Sequence, residues 1–458
     1  MVLWMKLILS LLIPLGAGYG FFQYLCRPMV FPFLFQLACS FGLGIGFVAY
    51  WMLFLGIFQL PYNFWTIGAP LLGLGILFLA VSSRFSQQRQ PISFQQTQAD
   101  RLPFLCYLLI MAFIWVNIYY VFARAVSMPV TDYDALATIA YKAKVIYYSK
   151  TLPDLSMLPH ASYPLLIPFN QAWIGYVLGS WSSIYIKIIF PFCLFSYLII
   201  HYYFLSYFTN KNWAIFGVFL LLSSNLLIFH ATISYRDLFL MYFNCSTIIF
   251  LILWHRTGIT SLLWLASLFA GFASFTKLEG SAYLLIYFLI FYFLNKIGSA
   301  SQKTKRTKDL LIFIGPGLGL CLSFHIYKYF HFFMKNSQAG FEKIEPTFAL
   351  EHLWRTPQIL QEFTKALFYT NDWNIIWLVL LFSFIRIREG LKRTEVKVLL
   401  FTVISYFVLY YVVFIATSNY YWIVGEKSSD ALSRLVLHFF PLSTLLIVLL
   451  NFPATKKD

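Results

Sequence analysis

The sequence is poor in charge, and poorest in negative charge: of 458 residues, 11% are charged and only 17 are Asp or Glu. A soluble globular chain carries ~25% charged residues, so that class is excluded. Cysteine is sparse too. Cys26, Cys39, Cys106, Cys193, Cys245 and Cys321 are scattered without a C-x-x-C spacing. That excludes a cysteine zinc site and a redox pair. Most lie in apolar runs, where Cys acts as a small hydrophobe. There is no clean internal repeat and no low-complexity tract; residues 87–98 are a glutamine-rich polar linker. The first apolar run has one basic residue, Lys6, and no A-x-A cleavage signature. It reads as a retained membrane anchor rather than a signal peptide.

What is present is apolar surface: 60% of residues are hydrophobic and 21% are aromatic. A spanning helix needs ~20 mostly apolar residues. About thirteen runs qualify, at 2–25, 30–54, 62–82, 102–123, 184–208, 213–231, 238–254, 259–275, 282–294, 310–333, 373–385, 396–416 and 435–450. The expected architecture is an all-α integral membrane bundle of about thirteen transmembrane helices. The net charge of +16 does not indicate nucleic acid, because the basic residues sit in short loops between apolar runs. Anionic membrane lipids, or a substrate bearing phosphate, are the partners that such a surplus suits.

Cytoplasmic loops concentrate Lys and Arg. Arg84, Arg89 and Arg101 mark one; the run at 296–308 marks another; Arg386, Arg388, Lys392, Arg393 and Lys397 mark a third; Lys456 and Lys457 mark the tail. These four agree only if the apolar stretch 163–181 does not cross, but forms a re-entrant or interfacial helix of an outer loop. An ordinary span there would invert every later loop. Residues 1–101 then comprise N-terminal membrane helices and a cytoplasmic linker. Residues 102–458 form a second membrane domain with outer loops at 124–183, 334–372 and 417–434. Most acidic residues fall on the outer side, a bias the charge rule does not explain.

Asp132 and Asp134 follow a long apolar run and open the stretch TDYDALATIAYKAK. A carboxylate in mid-bilayer costs ~2.5–3.5 kcal/mol, so the pair belongs in water, in a polar cavity or against a cation. Leu136, Ile139, Ala143 and Ile146 share one helical face, and Asp134, Thr138 and Lys142 another. This predicts an amphipathic helix lying at the membrane surface, with Thr131 or Asp132 as N-cap. Capping accounts for one carboxylate and not for two. Arg236 and Asp237 occupy a turn between spans, as do Lys277 and Glu279. Arg434 stands at the mouth of the last span, with His438 a turn further on. Surface ion pairs and interfacial anchors are the plain alternatives for these basic residues. His160 precedes a helix start at Pro164.

The strings TDYDALATIAYKAK, ASYPLLIPFNQAWIGYVLG, SYRDLFLMYF, FTKLEG and SRLVLHFFPL follow one another in that order. In this order the chain resembles the GT-C superfamily of polytopic glycosyltransferases, which includes protein O-mannosyltransferases and aminoarabinose transferases. The likeness covers roughly residue 102 to the end. It implies a polyprenyl-phosphate sugar as donor and amphipathic juxtamembrane helices in the first large outer loop. It also implies a catalytic role for Asp132 or Asp134 near the acceptor, and for Asp237. Two departures stand out: three extra spans precede the first motif, and Arg236 occupies a place where a small residue is usual. No large soluble domain follows the last span.

The chemistry suits these residue types. Arg434, Lys277 and Arg236 are the candidates for donor phosphate, because a leaving phosphate needs charge stabilisation. An aspartate can act as general base on an acceptor hydroxyl. Lys142, His160, Tyr163, Glu279 and His438 are the substrate-binding candidates. A divalent cation, Mg or Mn, is a candidate cofactor, with Asp132 and Asp237 as its ligands. The acceptor is a lipid, a glycan or a protein. The expected location is the bacterial inner membrane with the site facing the periplasm, as no eukaryotic sorting tail is evident. The alternative is a transporter or flippase of a lipid-linked glycan precursor, which would need ionisable groups deep within spans.

Overall fold

In hydrocarbon a backbone must satisfy its own polar groups, and for a long apolar segment that means a helix. The computed structural model describes residues 2–27, 29–84, 90–91, 103–156, 158–297, 303–330, 346–424 and 428–452. Arg89, Arg101, Lys456, Lys457 and part of the 296–308 basic run lie outside the described residues, as does the 87–98 linker apart from 90–91. Helices dominate the described residues, and a two-residue parallel bridge joins Met29–Val30 to Gln90–Pro91.

Nine helices among the described residues are long and apolar enough to cross a bilayer. They are Val2–Leu25, Phe33–Ile57, Phe64–Ser83, Phe104–Ser127, Tyr185–Phe208, Asp237–Thr257, Leu278–Lys296, Thr307–Lys328 and Thr394–Ala416. The chain is an all-α, multi-pass membrane protein. Four of the thirteen expected runs take other forms, each for a local reason. The run at 213–231 divides into Lys211–Leu222 and Asn225–His230. Between them the Ser224 hydroxyl accepts from Leu227 N–H at 3.2 Å and donates to Asp372 O at 2.9 Å. Serine competes with the backbone in this way and ends helices. The run at 373–385 is regular only over the eight residues Ile376–Ser383, after Asn374 at φ +50°. Thr260–Thr276 has 17 residues, about 26 Å at 1.5 Å each, against ~30 Å of hydrocarbon. The last run is a pair, Asp430–Leu437 and Phe440–Asn451, bent by 57°. Pro441 lies in the first turn of the second member, where a missing N–H is tolerated.

The Tyr-Pro stretch forms the helix Leu166–Leu178. Gly179 stops it in the left-handed conformation, φ +76°, and returns its N–H to Gly175 O at 2.9 Å. Thirteen residues give about 20 Å, well short of a bilayer. Nearly every side chain on it is buried. This length agrees with the non-crossing reading of that stretch.

The chain forms two compact units that alternate along the sequence. The first comprises Met1–Phe94, Ile118–Tyr203 and His230–Ala339; the second comprises Gln95–Asn117, Phe204–Phe229 and Gly340–Asp458. In the first unit, Val2–Leu25 and Phe33–Ile57 cross through small residues. A Cβ added to Gly44 would lie 2.1 Å from Pro14 O, and one on Gly18 would lie 2.0 Å from Ser40 O. Such close backbone approach is how apolar helices associate without a hydrophobic driving force. The Asp237–Thr257 helix is buried along nearly its whole length. Its Tyr242 hydroxyl donates to Ala38 O at 2.7 Å, tying it to Phe33–Ile57.

In the second unit, Phe440–Asn451 packs on Thr394–Ala416. Tyr406 and Phe439 stack with ring centres 5.2 Å apart. Arg386 and Arg393 donate to Asn451 O and Leu449 O, each at 3.0 Å. They satisfy the last carbonyls of that helix and oppose its negative end.

Candidate functional site

The acidic segment starts a helix where the sequence places it. Asp132 O accepts the first helical bond from Leu136 N–H at 2.9 Å. One turn of π-helix, Ala135–Ile139, leads into the α-helix Ala140–Ser149. The wider turn rotates the pattern. Ile139, Ala143 and Ile146 are buried as expected, but Leu136 is 49% exposed. The polar face turns inward: Thr138 and Lys142 are buried, while Asp132 and Asp134 stay half-buried. The Thr138 hydroxyl donates to Asp134 O at 2.6 Å.

Burying Lys142 requires partners, and the single stretch 160–163 supplies them. Its ammonium donates to His160 O and lies 5.8 Å from the centre of the Tyr163 ring. Burial, aided by the nearby Arg236 charge, lowers its pKa to about 7. The His160 ring stacks on Tyr163 at 4.6 Å. Arg236 approaches Tyr163 as well, its guanidinium carbon 4.5 Å from the ring centre. Cation–π contacts gain strength where water is excluded. Arg236 Nη2 also donates to Thr138 Oγ1 at 3.2 Å. Thr138, Tyr163 and Arg236 thus fasten three stretches that are far apart in sequence.

Asp237 adjoins Arg236 and opens its helix, where the positive end of the dipole favours a carboxylate. It is fully buried. Lys277 Nζ lies 3.0 Å from Asp237 Oδ1 and 2.9 Å from Glu279 Oε1. The two turns singled out in the sequence therefore meet in one ionic cluster. Lys187 supports the same region from the start of the Tyr185–Phe208 helix, donating to Thr232 O at 3.2 Å. A small apolar cluster of Val130, Ala135, Ala140 and Ile186 underlies the acidic segment.

Nine of the eleven candidate residues lie in this first unit: Asp132, Asp134, Lys142, His160, Tyr163, Arg236, Asp237, Lys277 and Glu279. Lys142, His160, Tyr163 and Arg236 form one contacting group, and Asp237, Lys277 and Glu279 form another. The peptide between Arg236 and Asp237 joins the two groups. Asp134 is tied to them through its backbone oxygen and Thr138. Arg434 and His438 belong to the second unit. There His438 is buried, and the Tyr410 hydroxyl stands 3.0 Å from its Nδ1 while donating to Leu435 O at 3.2 Å. Sequence reasoning passed over Thr138 as a tie and Arg355 as a buried cation. The only signal for Arg355 was its place in Trp-Arg-Thr-Pro, directly before a helix.

Asp237 faces the ammonium of Lys277, and no three His, Cys, Asp or Glu side chains gather among the described residues. No family model, no curated protein and no solved structure matches the chain.

Proposed function

We propose that the chain is an inverting membrane glycosyltransferase, which moves a sugar from a polyprenyl-phosphate donor to an acceptor on the exoplasmic side. One observation carries the reading. The helix that begins at Asp132 and Asp134 is joined to the turn that carries Arg236 and Asp237, through the 3.2 Å bond from Arg236 to Thr138. The reading requires those motifs to share one centre.

In this reading Asp134 takes the proton of an acceptor hydroxyl, with Asp132 beside it as the alternative base. The acceptor oxygen attacks the anomeric carbon as the bond from that carbon to the phosphate oxygen breaks. Polyprenyl phosphate leaves with the electron pair, and the configuration inverts. Arg236 and Lys277 supply positive charge for the leaving phosphate. Asp237 holds Lys277 in place. Lys142 and His160 orient Tyr163 against Arg236. The acceptor class is a lipid, a glycan or a protein.

The transporter alternative draws on one observation, the burial of Lys142 and Lys187. Purified protein given a polyprenyl-phosphate sugar and an acceptor separates the two: a transferase releases polyprenyl phosphate, and a transporter does not. Asp134→Asn is expected to lower turnover by about 10²–10⁴-fold, the usual worth of a positioned base. Full activity in both Asp132→Asn and Asp134→Asn would remove the assigned role.

A further inference from the structure

The second unit contains a buried cation that has no counter-charge among the described residues. Arg355 closes the short turn Leu353–Arg355 before the helix Thr356–Phe368, and it is 2% exposed. Four rings surround its guanidinium carbon: Tyr420 at 4.5 Å, Phe348 at 5.4 Å, Trp354 at 5.5 Å and Tyr421 at 5.6 Å. Its Nη1 donates to Thr417 O at 3.1 Å, while the buried Nε has no hydrogen-bond partner. Among the described residues no carboxylate pairs with it. The buried acid of the next helix, Glu362, is turned to Lys365 at 2.7 Å.

A guanidinium cannot shed its proton to escape burial. Aromatic faces offset part of the cost, but they attract the plane of the group and leave its edge donors without acceptors. A buried charge is ordinarily paired. An anion is therefore the missing partner. The surroundings indicate which kind. Trp354 and Tyr421, two of the four rings, are 62% and 66% exposed, so they form the outward-facing side of the cage. Beside them Leu350, Leu353 and Trp422 are 69%, 53% and 71% exposed. Exposed aromatic and aliphatic side chains in a short amphipathic segment suit the depth of lipid head groups.

We propose that Arg355 is the centre of a binding site for the phosphate of an anionic phospholipid. Displacement of the Trp354 or Tyr421 ring brings a phosphate oxygen onto Nε and a second onto a neighbouring Nη, the forked arrangement Arg favours. The acyl chains then run along Leu350 and Leu353.

The test uses the full chain, stripped of lipid and returned to vesicles of phosphatidylcholine and phosphatidylglycerol in equal parts. Native mass spectrometry then counts the lipids retained. The wild type is expected to keep one phosphatidylglycerol preferentially. R355Q is expected to keep it about tenfold less, because the charge-assisted fork is lost, and R355K should fall between. Equal retention of both lipids by the wild type, or unchanged retention by R355Q, would overturn the proposal. Inorganic phosphate that displaces the lipid at equal concentration would assign the site to a soluble anion and sink the lipid source. If R355Q does not fold, hydrogen exchange of the wild type decides. Phosphatidylglycerol should slow exchange over 348–358 and 417–424, and phosphatidylcholine should not; equal effects count against the site.

Discussion

Lys142 shows how far one buried charge can govern a site. Its partners are a carbonyl and a ring, and its pKa falls from 10.5 to about 7. Between those two values the unfolded chain keeps a proton that the folded chain has released, so stability rises with pH across that window. Lys142→Met removes the effect. Melting in detergent should favour the variant most at pH 6, with its advantage shrinking toward pH 10; a constant difference would contradict the burial of the charge. The Lys277 cluster offers a second contrast. Lys277→Met takes the ammonium from a fully buried carboxylate, and breaking a buried pair costs ~3–5 kcal/mol. Glu279 is 31% exposed, and a pair of that kind is worth ~0–1 kcal/mol. Glu279→Gln should therefore shift the melting temperature far less than Lys277→Met.

At the scale of elements, apolar length was the most legible signal. The first expected span and the helix Val2–Leu25 coincide: a continuous apolar run keeps the helix intact even though it contains Pro14. Legibility ended where side chains bond the backbone, as at Ser224, or where the helical period changes. The π turn at Ala135–Ile139 is such a place: a count by 3.6 puts Lys142 on a wet face, and one wider turn brings it inside. The candidate site was legible as a set of residue types in turns. Its connections through Thr138 and Tyr163 were not, since pairing across 98 positions leaves no local pattern. Helix crossings are equally silent in sequence and equally testable. Gly44→Leu places carbon on Pro14 O and should abolish folded protein in size exclusion. Gly16→Ala meets nothing within 4 Å and should be neutral or stabilising by up to ~1 kcal/mol.

For the whole molecule, the proposed chemistry depends on which side of the membrane the acidic segment faces. Cys106 is exposed, so labelling needs a Cys106→Ser background. In that background Asp134→Cys should react with a membrane-impermeant thiol reagent added to intact cells, and a cysteine at Arg388 should react only after lysis. The reverse pattern would end the exoplasmic assignment.

The half-length helix Leu166–Leu178 carries a consequence for biogenesis. Lys6 donates to its last carbonyl, Leu178 O, at 3.1 Å, and its Trp173 donates to Ser10 O at 2.9 Å. Lys6 and Leu178 leave the ribosome 172 residues apart, roughly 10–30 s of synthesis. The opening helices thus wait in the bilayer as a ready-made berth, and a segment too short to insert unaided is received by them during translation.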